Sequence, residues 1–173
     1  MDNAILKNMR ERRSIRKFQK EQIKEEELQA ILEAGTYAPT GMGAQSPVLV
    51  AVQDPETIQL LSQLNAAVMG ASSDPFYGAP TVIVVLADPS RPTYVEDGSL
   101  VMGNLMNAAH SLDIGSCWIH RAKEVFAGEE GKKLLAKWGI PENYVGIGHC
   151  ILGYRDCDYP AAKPRKENYV VRI

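Results

Sequence analysis

The sequence predicts one globular domain, residues 1–173, in which helices and strands are interleaved. Three observations carry that reading. The length of 173 residues suits one domain at roughly 100–200 residues each, and a chain this size buries about 70% of its unfolded surface without a disulfide or metal staple. The composition, 45% hydrophobic and 23% charged, is ordinary for a globular protein and excludes fibrous and wholly disordered classes. The hydrophobic pattern switches repeatedly between helical spacing and short β-branched runs. The longest uninterrupted aliphatic run, Val82 to Ala87, falls far short of the ~20 residues of a membrane span. Met1-Asp2-Asn3 opens a charged amphipathic segment with no apolar signal region, which predicts a chain without a secretion signal.

The elements follow in order. Ile5, Leu6 and Met9 sit at helical spacing and predict a first helix over 3–12. Ile23 to Gly35 reads as a second helix, with Glu25, Glu26 and Glu27 in its first turn, where acids favour the helix dipole. Ala38 to Pro47 is a loop rich in glycine, proline and hydroxyls. Val48 to Gln53 is a short strand, and Pro55 to Val68 a helix with proline in its first turn. Met69 to Ala79 is loop. Thr81 to Ala87 is β-branched and apolar, a central strand. Tyr94 to Ile114 is the longest helical pattern, with small residues Ser99, Gly103, Ala108 and Ala109 that suit close helix packing. Ser116 to His120 is a strand, Glu129 to Trp138 a helix that Gly139 ends, and Val145 to Leu152 a strand. A polar tail from Tyr159 closes on the β-prone Tyr169-Val170-Val171.

The net charge of −2 hides an uneven distribution. Residues 1–20 carry seven basic side chains against two acidic, residues 21–154 seven against sixteen, and residues 155–173 five against three. A nucleic-acid binder carries positive charge over the whole domain, so that class is excluded. Two basic ends around an acidic middle suit a compact anion if the fold brings them together; they also suit solvated surface. The three cysteines, Cys117, Cys150 and Cys157, form no C-x-x-C pair. They predict free thiols in a reducing compartment, hence a cytoplasmic protein, and argue against a zinc or iron–sulfur site. His110, His120 and His149 form no metal motif.

The glycines never fall as G-x-G-x-x-G between a strand and a helix, and there is no P-loop or G-x-S-x-G elbow. Three other segments carry chemistry. Arg12-Arg13-Ser14-Ile15-Arg16-Lys17-Phe18 offers guanidinium forks and a hydroxyl suited to phosphate, though it also fits an exposed basic turn. Lys163-Pro164-Arg165 places two cations around a residue of fixed φ, within what could equally be a solvated tail. Pro39-Thr40-Gly41-Met42-Gly43-Ala44-Gln45 allows close backbone approach and offers a side-chain amide.

In this order these residues resemble the nitroreductase family of FMN-dependent oxidoreductases, over nearly the whole chain. The strongest element is R-R-S-x-R-x-F at Arg12 to Phe18, then Tyr37-Ala38-Pro39 and Gln45 before a strand. Asp97-Gly98-Ser99-Leu100 to Ala108-Ala109, Gly115 to Ile119, Gly148 to Tyr154 and Lys163-Pro164-Arg165 complete the match. The resemblance implies an α+β, nitroreductase-like fold: a central, mostly antiparallel sheet flanked by helices, in an intertwined homodimer with FMN at the subunit interface. It further implies that Arg12, Ser14, Arg16, Lys163 and Arg165 converge on the FMN phosphate, with Arg13 lending backbone atoms or reaching the ring. Gln45, from the other subunit, would bond the ring edge. The backbone of Ile119, His120 and Arg121 would approach flavin N5. Asn65 is a candidate for ribityl or ring contact, or else a helix-end polar residue. The chain departs from the family where Gly43 replaces an asparagine and Ser46-Pro47 replaces Pro-Trp, which implies a more open pocket.

The activity implied is electron transfer from NADH or NADPH, through flavin N5, to a small-molecule acceptor such as a nitroaromatic or quinone, in ping-pong fashion. A flavin-storing or sensing protein without turnover, or a relative with dehalogenase or enone-reductase chemistry, stays open. No separate catalytic side chain is implied, because the flavin carries the chemistry.

Overall fold

A computed structural model describes residues 2–173. In chain order it has helices α1 (Ala4–Glu11) and α2 (Glu25–Thr36), strand β1 (Val48–Val52), helix α3 (Pro55–Met69), strand β2 (Thr81–Ala87), helix α4 (Tyr94–Ser111), strand β3 (Ile114–Ile119), helices α5 (Ala122–Ala127) and α6 (Glu129–Lys137), and strand β4 (Val145–Tyr154). A single 3-10 turn, Gly41–Gly43, interrupts the loop before β1.

Among the described residues the sheet has four strands in the order β1-β2-β4-β3, every pair antiparallel. β2 is buried at every position, as its unbroken β-branched run requires of a strand covered on both faces. One face carries α2 and α4 through Ile31, Ile83, Met102 and Leu105. The other carries α3, α5 and α6 through Leu61, Val84, Phe126 and Leu135. The result is a helix–sheet–helix sandwich with a core on each side.

The helix ends follow local chemistry. Asn3 accepts from Leu6 N at 2.9 Å and Asp54 from Thr57 N at 2.9 Å, two N-caps formed by side chains. Glu27 accepts from Lys24 N at 2.9 Å. Gly139, at φ 70°, ends α6 as expected.

Several boundaries differ from the sequence reading. The long helix stops at Ser111 rather than Ile114, because Asp113 takes φ 59° and turns the chain into β3, which begins at Ile114. α1 stops at Glu11 and α2 begins at Glu25, while β4 runs on to Tyr154. Helix α5 was not anticipated. Tyr169, Val170 and Val171 form no strand and lie exposed.

Gly146 on β4 positions the site directly. A Cβ there would stand 2.3 Å from the Ala122 carbonyl oxygen. Its absence lets α5, and with it the preceding Arg121 turn, lie against the sheet.

Candidate functional site

The segment after α1 runs extended along the β3 edge. Ser14 pairs with Ser116 in a parallel bridge, and Ile15 N donates to Ser116 O at 2.9 Å. Successive side chains of an extended segment point to opposite sides. Ile15 is fully buried, an anchorage of about 1.5–3 kcal/mol, while Ser14 and Arg16 on either side of it line an open cleft. Further along, Gln19 N donates to Tyr154 O at 2.8 Å and Asp156 N to Lys17 O at 3.0 Å. The chain's beginning and end are therefore laced side by side.

That lacing brings the two basic ends together. A cleft of about 740 Å³ is lined by Arg10, Arg12, Arg13, Ser14 and Arg16 from one end and by Lys163 and Arg165 from the other. Among the described residues no carboxylate lines it, although Arg10 is paired with Asp2 at its rim. Arg12 Nη1 and Arg13 Nε are shielded from solvent and have no hydrogen-bond partner among the described residues. A buried donor without an acceptor is costly, and both donors belong to residues that line the cleft. Arg13 Nη1 is committed to the carbonyls of Arg10 and Arg12 at 2.7 Å each, so this guanidinium braces the turn. Lys163 and Arg165 reach the arginines within one chain.

A second group lies at the far end of β3. From Ser116, beside Ser14, to Ile119 the strand runs on the order of 10 Å, then turns through His120 and Arg121. Arg121 adopts φ 75° and starts α5, a conformation uncommon for a residue with a side chain. Asn65 holds this turn. Its Nδ2 donates to His120 O at 2.7 Å, and its Oδ1 accepts from Arg121 Nε at 3.0 Å. Asn65 lies in the last part of α3 and is fully buried there. Behind it sits His149, also fully buried, with Nδ1 3.4 Å from Asn65 Nδ2. Burial pushes the His149 pKa down to about 3, so the ring is neutral and packs between Phe76 and Phe126 with centroids 5.2 and 6.1 Å away.

The glycine loop is placed elsewhere. Gln45 is exposed and lines a separate pocket of about 300 Å³ with Thr40, Pro47 and Leu49; within one chain it does not join the cationic cleft. The loop is tied down by Asp97, 3% exposed, which accepts from Gly41 N at 2.9 Å and from Thr93 Oγ1 at 3.2 Å. Sequence reading missed Asp97 and His149 as positioning groups. An acid in a helix's first turn looks like dipole chemistry, and nothing in the sequence marks its buried partners. Another cleft, about 760 Å³, lies along α3 between Gln53, Ser62 and Pro80. Its sole cation is Lys20, so it offers no comparable anion site.

The cleft thus suits an oxyanion such as a phosphate monoester, held at one end of β3, with a rigid peptide turn at the strand's other end. Among the described residues no cluster of histidine, cysteine and acidic side chains could hold a metal, and no helix is long and apolar enough to cross a membrane.

The chain is similar to known proteins in sequence and in fold. A protein of Archaeoglobus fulgidus, provisionally named an NADH dehydrogenase/NAD(P)H nitroreductase, is 36% identical over 155 residues, 86% of this chain and 84% of its own. The crystal structure of a nitroreductase with bound FMN from Bacteroides fragilis superposes with a TM-score of 0.91 at 28% identity, covering 99% of this chain and 100% of that one. A nitroreductase with bound FMN from Desulfitobacterium hafniense gives 0.90 at 29% identity, over 100% of both chains. The family profile for nitroreductases spans residues 9–154, from the end of α1 to the end of β4. That span takes in the Arg12–Arg16 segment, the Asn65-braced turn and the whole antiparallel sheet, and the chain belongs to the nitroreductase family.

Proposed function

We propose that this protein is an FMN-dependent NAD(P)H oxidoreductase acting on small acceptors such as nitroaromatics or quinones. The observation that carries the reading is the cleft where both chain ends meet, with two buried guanidinium nitrogens in need of an acceptor. These residues fit FMN, which ends in a single phosphate, and they fit a continuing dinucleotide poorly. FMN, when bound there, would supply the two-electron redox chemistry between NAD(P)H and an acceptor.

The chain's own groups bind and orient. Arg12, Ser14, Arg16, Lys163 and Arg165 hold the phosphate by charge-assisted bonds. The Ile119-His120-Arg121 backbone, braced by Asn65, lies along the reactive edge of the ring. Gln45 reaches a ring from the opposite subunit of a homodimer, since it lies outside its own chain's cleft. Exposed apolar side chains support such a dimer: Ile5 is 68% exposed, Met9 58% and Leu100 47%. Three free thiols, two of them buried, suit a reducing cytoplasm.

Initial-rate kinetics with NADH or NADPH against a quinone or nitroaromatic test the reading. Parallel double-reciprocal lines are expected of two half-reactions sharing one pocket. FMN binding without turnover by any donor and acceptor pair would leave a storage or sensing protein instead.

A further inference from the structure

We propose that Tyr159 is a positioning residue for the FMN phosphate, held by Asp113 and His110 so that Lys163 and Arg165 stand over the Arg12–Arg16 cations. The proposal rests on the phosphate reading of the cleft given above.

Tyr159 is where the tail is fastened. Its hydroxyl donates to Asp113 Oδ1 at 3.1 Å and lies 3.1 Å from His110 Nδ1. Its ring meets the His110 ring edge-on, with centroids 4.9 Å apart and planes at 89°. The Arg155 guanidinium stands over the same ring, 4.6 Å from its centroid. That guanidinium also binds Asp113, through Nε at 3.2 Å and Nη2 at 3.3 Å, and Nη1 donates to Cys157 O at 3.0 Å. The clasp is therefore a closed set of contacts from the end of α4, the start of β3 and the chain just past β4. Arg155 and then Tyr159 hold the Asp113 carboxyl below its usual range, and burial followed by the Asp113 bond pushes the Tyr159 phenol up.

Beyond Tyr159 the tail is exposed, and its cleft-lining cations make no side-chain bond to the rest of the protein among the described residues; Arg165 Nη2 donates only to Lys163 O. Lys163 is four residues past the clasp, a reach of at most roughly 14 Å, and Pro160 fixes φ at the first step. The clasp thus confines both cations near the cleft before any ligand arrives. Without it the tail must be ordered at the moment of binding, and apparent affinity falls with the fraction of chains already poised.

The test measures FMN and riboflavin binding to the flavin-stripped, full-length protein by fluorescence quenching. Riboflavin lacks the phosphate, so it reports on everything except the cationic cleft. Tyr159→Phe, which keeps the ring and removes the hydroxyl, is expected to weaken FMN binding roughly 3–10-fold and leave riboflavin binding unchanged. Asp113→Asn should reproduce that pattern. In a Lys163→Ala/Arg165→Ala background, Tyr159→Phe should add nothing, because both changes remove one interaction. Equal losses for the two flavins, or fully additive losses in the combined variant, would mean a general structural role and overturn the proposal. Unaltered FMN binding by Tyr159→Phe, with a clear loss in Lys163→Ala/Arg165→Ala, overturns the clasp and leaves the cleft standing. Wild-type FMN affinity in Lys163→Ala/Arg165→Ala removes the cleft reading and the clasp with it.

Discussion

Arg16 and Lys20 are both exposed and carry the same charge, yet only Arg16 lines the basic cleft, while Lys20 sits on the separate cleft along α3. Arg16→Ala should weaken FMN binding by about 10–150-fold, the cost of one charge-assisted bond. Lys20→Ala should change it little; calorimetric titration of both variants checks this, and equal losses would reduce Arg12–Arg16 to a solvated basic turn. His149 yields a different kind of prediction. Its folded pKa, about 3 by burial, lies below the ordinary value near 6.5. Between those values the unfolded chain binds a proton that the folded chain refuses, so stability rises with pH across that window, by up to about 1.4 kcal/mol per unit. Above the unfolded value the term vanishes. His149→Phe, flanked by Phe76 and Phe126, should flatten the dependence of the urea midpoint on pH between about 6.5 and 3. At this scale the cations that line one cleft stood out in the sequence by residue type and clustering. Asp97 and His149 did not, because their roles depend on partners far away in the chain.

The elements show the same division. Thr81–Ala87 was read to the residue, since five β-branched residues followed by Leu86 and Ala87 suit a short strand covered on both faces. The long helix was read three residues too far. Leu112 and Ile114 continue the apolar pattern, while the turn that ends the helix is carried by Asp113 at φ 59°, not by a glycine. Helix α5 escaped because six residues are too few to display a helical period, and Arg121 gives no usual start signal. The fit of α5 on β4 makes a direct prediction. Gly146→Ala would place a methyl 2.3 Å from Ala122 O, forcing the helix outward at a cost of about 1–3 kcal/mol and disturbing the Arg121 turn. Gly103→Ala, with nothing within 4 Å of the new atom, should leave chain stability equal or slightly higher. Urea unfolding of the two variants separates them. Similar losses would show that the Ala122 contact is not tight.

At the scale of the whole molecule, sequence charge left two outcomes open, a shared anion site or solvated surface, and the fold brings the two basic ends to one cleft. What one chain leaves unsatisfied is apolar: the outer residues of α1 and α4, and Tyr169, Val170 and Val171, each more than two-thirds exposed. A β-prone segment with no strand partner gains by adding to a sheet edge of a second copy. Deleting residues 160–173 should therefore weaken FMN binding and shift the protein towards the mass of a single chain in light scattering. A truncated protein that stays dimeric with full FMN affinity would strip the tail of both roles. An oxidoreductase of this kind must hold in its cleft a flavin that NAD(P)H can reduce. The deciding measurement is the absorbance of the FMN-loaded protein under anaerobic titration with NADH and NADPH. The account predicts that the oxidised flavin spectrum bleaches at one reductant per bound FMN and returns on adding a quinone. A protein that binds no FMN, or whose bound FMN keeps its oxidised spectrum with excess NADH and NADPH, would contradict it.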